Sequence, residues 1–185
     1  MGDFADDVHR DLRDALAARL PSRKWRTERY VERTPVDVAT DDDAGRASRV
    51  APSGRSHSPV PRFSLAPAAL APNRVILVEV EMRRADPANN PVKLARYADE
   101  GAFDAPVHLV QVFSGYYDLA GGGVSTKREN AEFVGRLATD ALDGFTYDAV
   151  DLGFTPPKRG GDRPSDWRAR VHETADRIVD SVERD

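Results

Sequence analysis

The sequence predicts an α/β protein, a three-layer sandwich in which a mixed central β-sheet is flanked by helices. Two largely apolar runs, at residues 75–82 and 107–113, are typical of strands buried on both faces of a sheet. Segments with apolar residues at helical spacing precede, separate and follow these runs. Helices are therefore available to cover both faces.

The first segments predict a helix followed by strands. Apolar residues recur at helical spacing over residues 4–20, and Pro21 ends the helix because proline cannot continue it. Residues 25–39 then mix apolar and polar side chains in the manner of half-buried strands. The apolar face of the first helix needs a sheet to cover.

Residues 41–73 predict a long flexible arm between two strands. They are rich in Asp, Ala, Ser, Pro, Gly and Arg, and only residues 63–65 have the character of a short strand. A loop of this length within a domain is usually functional or disordered. Its arginines are Arg46, Arg49, Arg55 and Arg62.

The middle of the chain predicts a helix and then an inner strand. Asn90 and Pro91 have the character of an N-cap and a first-turn proline. The apolar run at 107–113 contains Gln111, an amide that we expect to be hydrogen-bonded within the core.

The last third predicts a helix, a strand and a final helix. Thr126 and Glu129 have the spacing of a capping box, residues 145–154 form the predicted strand, and Ser165 is the predicted cap of the final helix. A basic loop joins this strand to that helix, and it contains Lys158, Arg159 and Arg163.

Composition bounds the class of protein. The chain of 185 residues suits a single domain, and its formal charge of −4 confines any nucleic-acid contact to local basic patches. The chain has no cysteine, and its four histidines are scattered, so any metal would be held by oxygen ligands. The acidic N-terminus and the absence of a long apolar run predict a soluble cytoplasmic protein with no membrane contact.

The run at 75–82 ends with two carboxylates. Alternate residues of a strand share a face, so Glu79 and Glu81 continue the apolar row of Val75 and Leu77. Buried carboxylates are costly unless they are protonated, paired with a base or bound to a cation. Asp37, enclosed by two valines on an earlier strand, is a further candidate, and a divalent metal would satisfy such a set.

Residues 33–39 (RTPVDVA) and 78–84 (VEVEMRR) resemble the core of the restriction-endonuclease-like superfamily, the PD-(D/E)XK nucleases. The resemblance implies that Asp37 and Glu79 bind Mg²⁺ (or Mn²⁺) and that Glu81 occupies the position usually held by lysine. It also implies that Lys93, in the segment VKLARY, is a lysine moved onto the following helix, because this segment is similar to the Gln-Leu-x-x-Tyr motif of RecB-type nucleases.

This resemblance implies a metal-dependent nuclease that hydrolyses DNA phosphodiester bonds on a restriction-endonuclease-like fold. The catalytic set would be Asp37, Glu79, Glu81 and Lys93, with Glu81 acting as a metal ligand or as a base. The arginines of the 41–73 arm would form a DNA-contacting insertion, and relatives that act as dimers make a homodimer possible. Nearer the acids, phosphates would be contacted by Arg83, Arg84 and Arg96.

Two alternatives stay open at this point. Lys93 can pair with Glu81 instead of stabilising a phosphate. The whole acid cluster can equally be a network of ion pairs with arginines, in which case the same fold serves a catalytically inactive nucleic-acid-binding or scaffolding protein.

Overall fold

The computed structural model describes residues 2–41, 74–158 and 160–184. These ranges contain four α-helices and five strands, and a single turn of 3-10 helix at Gly115–Tyr117 follows the fourth strand. In chain order the elements are α1 (Gly2–Arg19), β1 (Trp25–Val31), β2 (Thr34–Thr40), β3 (Val75–Glu81), α2 (Asn89–Asp99), β4 (Val107–Phe113), α3 (Thr126–Ala141), β5 (Phe145–Asp151) and α4 (Trp167–Arg184).

The five strands form one mixed sheet in the order β1-β2-β3-β4-β5. Strands β1, β2 and β3 are antiparallel neighbours, whereas β4 and β5 pair in parallel, β4 with β3 and β5 with β4. The carboxyl ends of β3, β4 and β5 therefore meet at one edge of the sheet, where the ligand sites of parallel sheets lie. The first half of β2 reaches the same edge because β2 runs in the opposite direction.

Helices cover both faces of the sheet. Ile76, Val78 and Val80 of β3 pack with α1 and α4, whereas Val75 and Leu77 pack with α2 and α3. This alternation is the two-residue period of a strand buried on both sides. The predicted α/β class, mixed sheet and flanking helices are confirmed, and the two helix pairs are compatible with a three-layer sandwich.

The predicted helix starts are wrong in detail. Asn90 lies inside α2, whose N-cap is Ala88, because its amide is bound by a buried carboxylate described below. Thr126 is the first residue of α3 and not a cap: the N–H of Glu129 already bonds the backbone oxygen of Ser125. Likewise, α4 begins at Trp167, so Asp166 and not Ser165 directly precedes it. Strand β5 ends at Asp151, three residues before the predicted end.

Some predictions fall outside the described residues. These are nearly all of the 41–73 arm, with its short strand at 63–65 and its four arginines, together with Arg159 of the basic loop. In the parts of the chain that are described, no helix is both long and apolar enough to span a membrane.

Close packing between α3 and β5 gives the first prediction. A Cβ atom added at Gly135 would lie 2.4 Å from the ring of Tyr147, so Gly135→Ala forces this partly buried ring to move. Such overpacking costs about 1 to 3 kcal/mol, which outweighs the gain of about 1 kcal/mol in helix propensity. We expect urea unfolding to show a lower midpoint for Gly135→Ala.

Asn130→Ala is the matched control, because Asn130 is an exposed residue of the same helix. Its midpoint should stay the same or rise. An equal rise in both variants would show that helix propensity, and not the contact with Tyr147, decides the stability of α3.

Candidate functional site

Strand β3 ends with two glutamates that point toward the same layer of helices. Glu79 and Glu81 follow Val75 and Leu77, which pack under α2 and α3. Both glutamate side chains are fully buried, as the sequence predicted. Each must therefore be protonated, hydrogen-bonded or paired with a positive charge.

Asp37 lies next to these glutamates because the ladder between β2 and β3 stops early. In these two strands the last paired residues toward this edge are Val38 and Val78. Beyond them, Oδ2 of Asp37 accepts the N–H of Val80 at 2.7 Å. A side chain thus replaces a backbone acceptor, and it places a third carboxylate at the edge where the parallel strands end.

Glu79 is bonded through one oxygen. Its Oε2 accepts a hydrogen bond from Nδ2 of Asn90 on α2 at 2.6 Å, whereas its Oε1 is buried without a hydrogen-bond partner among the described residues. Burial raises the pKa of Glu79 well above its ordinary value, and the charges of Asp37 and Glu81 raise it further. Arg84 and the bond from Asn90 act in the opposite direction.

A chain of hydrogen bonds orients the other glutamate. Oε1 of Glu81 accepts a bond from Nε2 of Gln111 at 2.9 Å, and the same amide nitrogen donates to the backbone oxygen of Pro87 at 2.8 Å. The hydroxyl of Tyr147 donates to Oε1 of Gln111 at 2.9 Å. Because the amide oxygen is occupied by this donor, the nitrogen must face Glu81. Gln111 is thus a hydrogen-bonded core amide, as predicted.

The second oxygen of Glu81 faces an arginine. Oε2 is buried without a hydrogen-bond partner in the described structure, and Nε of Arg84 lies 3.5 Å away. Burial raises the pKa of Glu81 to about 7, although Arg84 and the bond from Gln111 lower it. This carboxyl is therefore poised to exchange a proton near neutral pH.

The donor set suits a hard cation, although the described side chains do not enclose one. Carboxylate oxygens are the ligands that Mg²⁺ prefers. A bound cation would compensate the oxygens of Glu79 and Glu81 that have no hydrogen-bond partner among the described residues. No three His, Asp or Glu side chains in the described ranges are grouped closely enough to hold a metal. A bound Mg²⁺ would thus keep several waters, as it does at many protein sites.

His9 is a neighbour of the site that the sequence interpretation missed. It lies on α1, where its Nδ1 is 3.7 Å from Oδ1 of Asp37, and its side chain is only 13% exposed. The Nε2 atom is buried without a hydrogen-bond partner among the described residues. A signal was present in the sequence, since His9 precedes Leu12 and Leu16 at helical spacing and so borders the buried face of α1.

Lys93 lies on α2 one turn after Asn90, on the same side of the helix. It is half-buried and forms no ion pair with any residue of the described ranges. Asn90 bonds Glu79, and Lys93 is on the same side of α2, so Lys93 is on the side of the helix toward the acids. It forms no ion pair with them.

The three arginines predicted to contact nucleic acid have separate surroundings. Arg84 lies at the acids, and its side chain is 46% exposed. Arg83 instead donates to the backbone oxygen of Pro156 and lies over the ring of Tyr116. Arg96 pairs with Glu100 and lies over Tyr97 on α2. Of these three arginines, Arg84 alone is in contact with the carboxylates.

The raised pKa of Glu81 predicts how stability depends on pH. Folded protein keeps this proton up to about pH 7, whereas the unfolded chain loses it near 4.5. The free energy of unfolding should therefore fall as pH rises between these values. In Glu81→Gln, which cannot ionise, we expect a flatter profile and a gain of up to about 3 kcal/mol at pH 8.

Urea unfolding in EDTA between pH 4 and pH 8 measures this difference. Glu100→Gln is the control, because Glu100 is exposed and its substitution should leave the slope unchanged. If Glu81→Gln retained the slope of the unaltered protein, the ionisation of Glu81 would not be the source of the pH dependence.

Comparisons of the chain with protein-family models, with curated proteins and with solved structures found no match.

Proposed function

We propose that the protein is a metal-dependent nuclease that hydrolyses DNA phosphodiester bonds on a restriction-endonuclease-like fold. The observation that carries the proposal is the edge of the sheet where Asp37 lies near two fully buried glutamates, each of which has one oxygen without a hydrogen-bond partner among the described residues. The charges of Asp37 and Glu81 both act on the buried Glu79 and destabilise its ionised form unless a proton or a cation compensates them. A divalent cation would provide that compensation and would also activate the water that attacks the phosphate.

The architecture supports the same proposal. A mixed sheet with helices on both faces is compatible with the restriction-endonuclease-like fold that the sequence resemblance implies. The candidate acids lie on β2 and β3, where that resemblance expects the metal ligands. Fold alone does not identify an activity, so the acids and their surroundings carry the argument.

Asp37 and Glu79 would hold the metal in this proposal. Each offers an oxygen beyond its present hydrogen bond: Oδ1 of Asp37 faces His9, and Oε1 of Glu79 is unsatisfied in the described structure. Asn90 holds the other oxygen of Glu79 and fixes the orientation of the carboxylate. A bound Mg²⁺ or Mn²⁺ would polarise a phosphoryl oxygen and lower the pKa of the attacking water.

Glu81 would act as the base. Its pKa of about 7 lets Oε2 accept a proton at neutral pH, and Gln111 keeps Oε1 bonded while it does so. Lys93 would stabilise the charge that develops on the phosphate, because it is half-buried and has no ion-pair partner in the described ranges. Arg84 is exposed enough to exchange Glu81 for a backbone phosphate.

One observation favours a second candidate function. The ion pair between Arg84 and Glu81 is the kind of contact expected if arginines merely neutralise the acids. In that case the protein is a catalytically inactive nucleic-acid-binding or scaffolding protein on the same fold. It would bind no Mg²⁺, and Asp37 would serve only to bond the N–H of Val80.

Asp37→Asn separates these functions, because an amide oxygen still accepts the N–H of Val80 while the charge is lost. We expect cleavage of supercoiled plasmid or of single-stranded DNA in Mg²⁺ or Mn²⁺, no cleavage in EDTA, and a loss on the order of a hundredfold in Asp37→Asn. Isothermal titration with Mn²⁺ should show binding that this variant weakens.

Asp99→Asn is the matched control, since Asp99 is exposed at the end of α2. It should cleave DNA like the unaltered protein. Folded protein that neither binds Mn²⁺ nor cleaves either DNA would exclude the nuclease and favour the second function. Equal activity of Asp37→Asn and Asp99→Asn would remove Asp37 from the mechanism.

A further inference from the structure

A groove of about 510 Å³ lies at the carboxyl end of β3, on the α1 side of the sheet. Its walls come from the start of α1, from Met82 and from the loop before α4. The lining residues used here are Asp3, Phe4, Ala5, Met82, Lys158 and Arg163.

The groove adjoins the candidate site along two elements. Met82 directly follows Glu81, so β3 passes from the acids into the wall of the groove. Ala5 precedes His9 by one turn of α1, and residues four apart share a side of a helix. One residue of β3 and one turn of α1 thus separate Glu81 and His9 from residues that line the groove.

The lining combines flat apolar surface with positive charge. Phe4 and Met82 are apolar, and two prolines at 156 and 157 extend this surface. The guanidinium of Arg163 lies over the ring of Phe4, 5.0 Å from its centre, and also pairs with Asp7 at 2.7 Å. These two contacts position the guanidinium of Arg163, a planar group on which a base can stack.

Two further groups suit a nucleotide. Lys158 is exposed at the rim, where an ammonium group attracts a phosphate. Asp3 is the acidic member of the lining, and its carboxylate suits the amino group of a base. The loop that forms this wall is anchored from outside, because Arg83 donates to the backbone oxygen of Pro156 and lies over Tyr116.

We infer that the groove binds one unpaired nucleotide of a DNA strand, next to the phosphate that the acids would cleave. This inference rests on the proposed nuclease function and deepens it by naming the substrate as single-stranded DNA, or duplex DNA with an unpaired end. The volume is in the range of pockets that hold small molecules, and a base enters such a recess only when it has left its stack.

Binding without cleavage tests the groove separately from the chemistry. Fluorescence anisotropy in EDTA compares a labelled single strand with the blunt duplex of the same sequence. We expect the unaltered protein to prefer the single strand. Lys158→Glu, which reverses the rim charge, and Ala5→Leu, which fills the groove, should each weaken single-strand binding by about tenfold and affect duplex binding much less.

Lys127→Glu makes the same charge change on α3, on the other side of the sheet, and should leave the preference unchanged. The inference is overturned if the unaltered protein shows no preference for the single strand, or if Lys158→Glu and Lys127→Glu weaken binding equally. Metal-dependent cleavage of plasmid or of single-stranded DNA that Asp37→Asn removes would still support the nuclease in either case. If no cleavage is observed but the preference for the single strand is intact, the nuclease function is contradicted and the inference about nucleotide binding in the groove is retained.

Discussion

The burial of two carboxylates at the end of the central strand is the constraint on which the rest of the site depends. Glu79 and Glu81 occupy positions that continue an apolar row, and neither is exposed to water. A buried carboxylate without partners costs several kcal/mol, so the surrounding elements must supply compensation. Asn90 of α2, Gln111 of β4 and Arg84, which follows β3, contribute to this task.

The compensation is incomplete, and for this reason the site is suited to bind a cation or to exchange a proton. Asn90 and Gln111 each bond one carboxylate oxygen, whereas the other oxygen of each glutamate has no hydrogen-bond partner among the described residues, and only that of Glu81 is approached by Arg84. A fold that required only stability would replace such acids by apolar residues of similar volume. Raised pKa values and unsatisfied oxygens at a sheet edge are the features by which functional sites are recognised.

At the same edge β2 separates from β3. Asp37 replaces a backbone oxygen as the acceptor for Val80, and on the other side of the short ladder the hydroxyl of Thr40 accepts the N–H of Ile76. Side chains therefore complete the hydrogen bonding of β3 where β2 diverges. Through this divergence Asp37 reaches both the glutamates and His9, so that groups from α1, β2 and β3 share one place.

The α/β class and the placement of Asp37, Glu79 and Glu81 on strands could be predicted from the sequence, because strand periodicity and apolar runs are local properties of the chain. The sequence also indicated that Gln111 is a core amide. The partners of these side chains depend on the tertiary structure. Asn90 bonds Glu79 and does not cap a helix, and His9 faces Asp37. Arg83 bonds the loop before α4, whereas Arg84 contacts Glu81. These contacts join residues far apart in the chain, and their free energy depends on burial and on charges from several elements, which no local pattern contains.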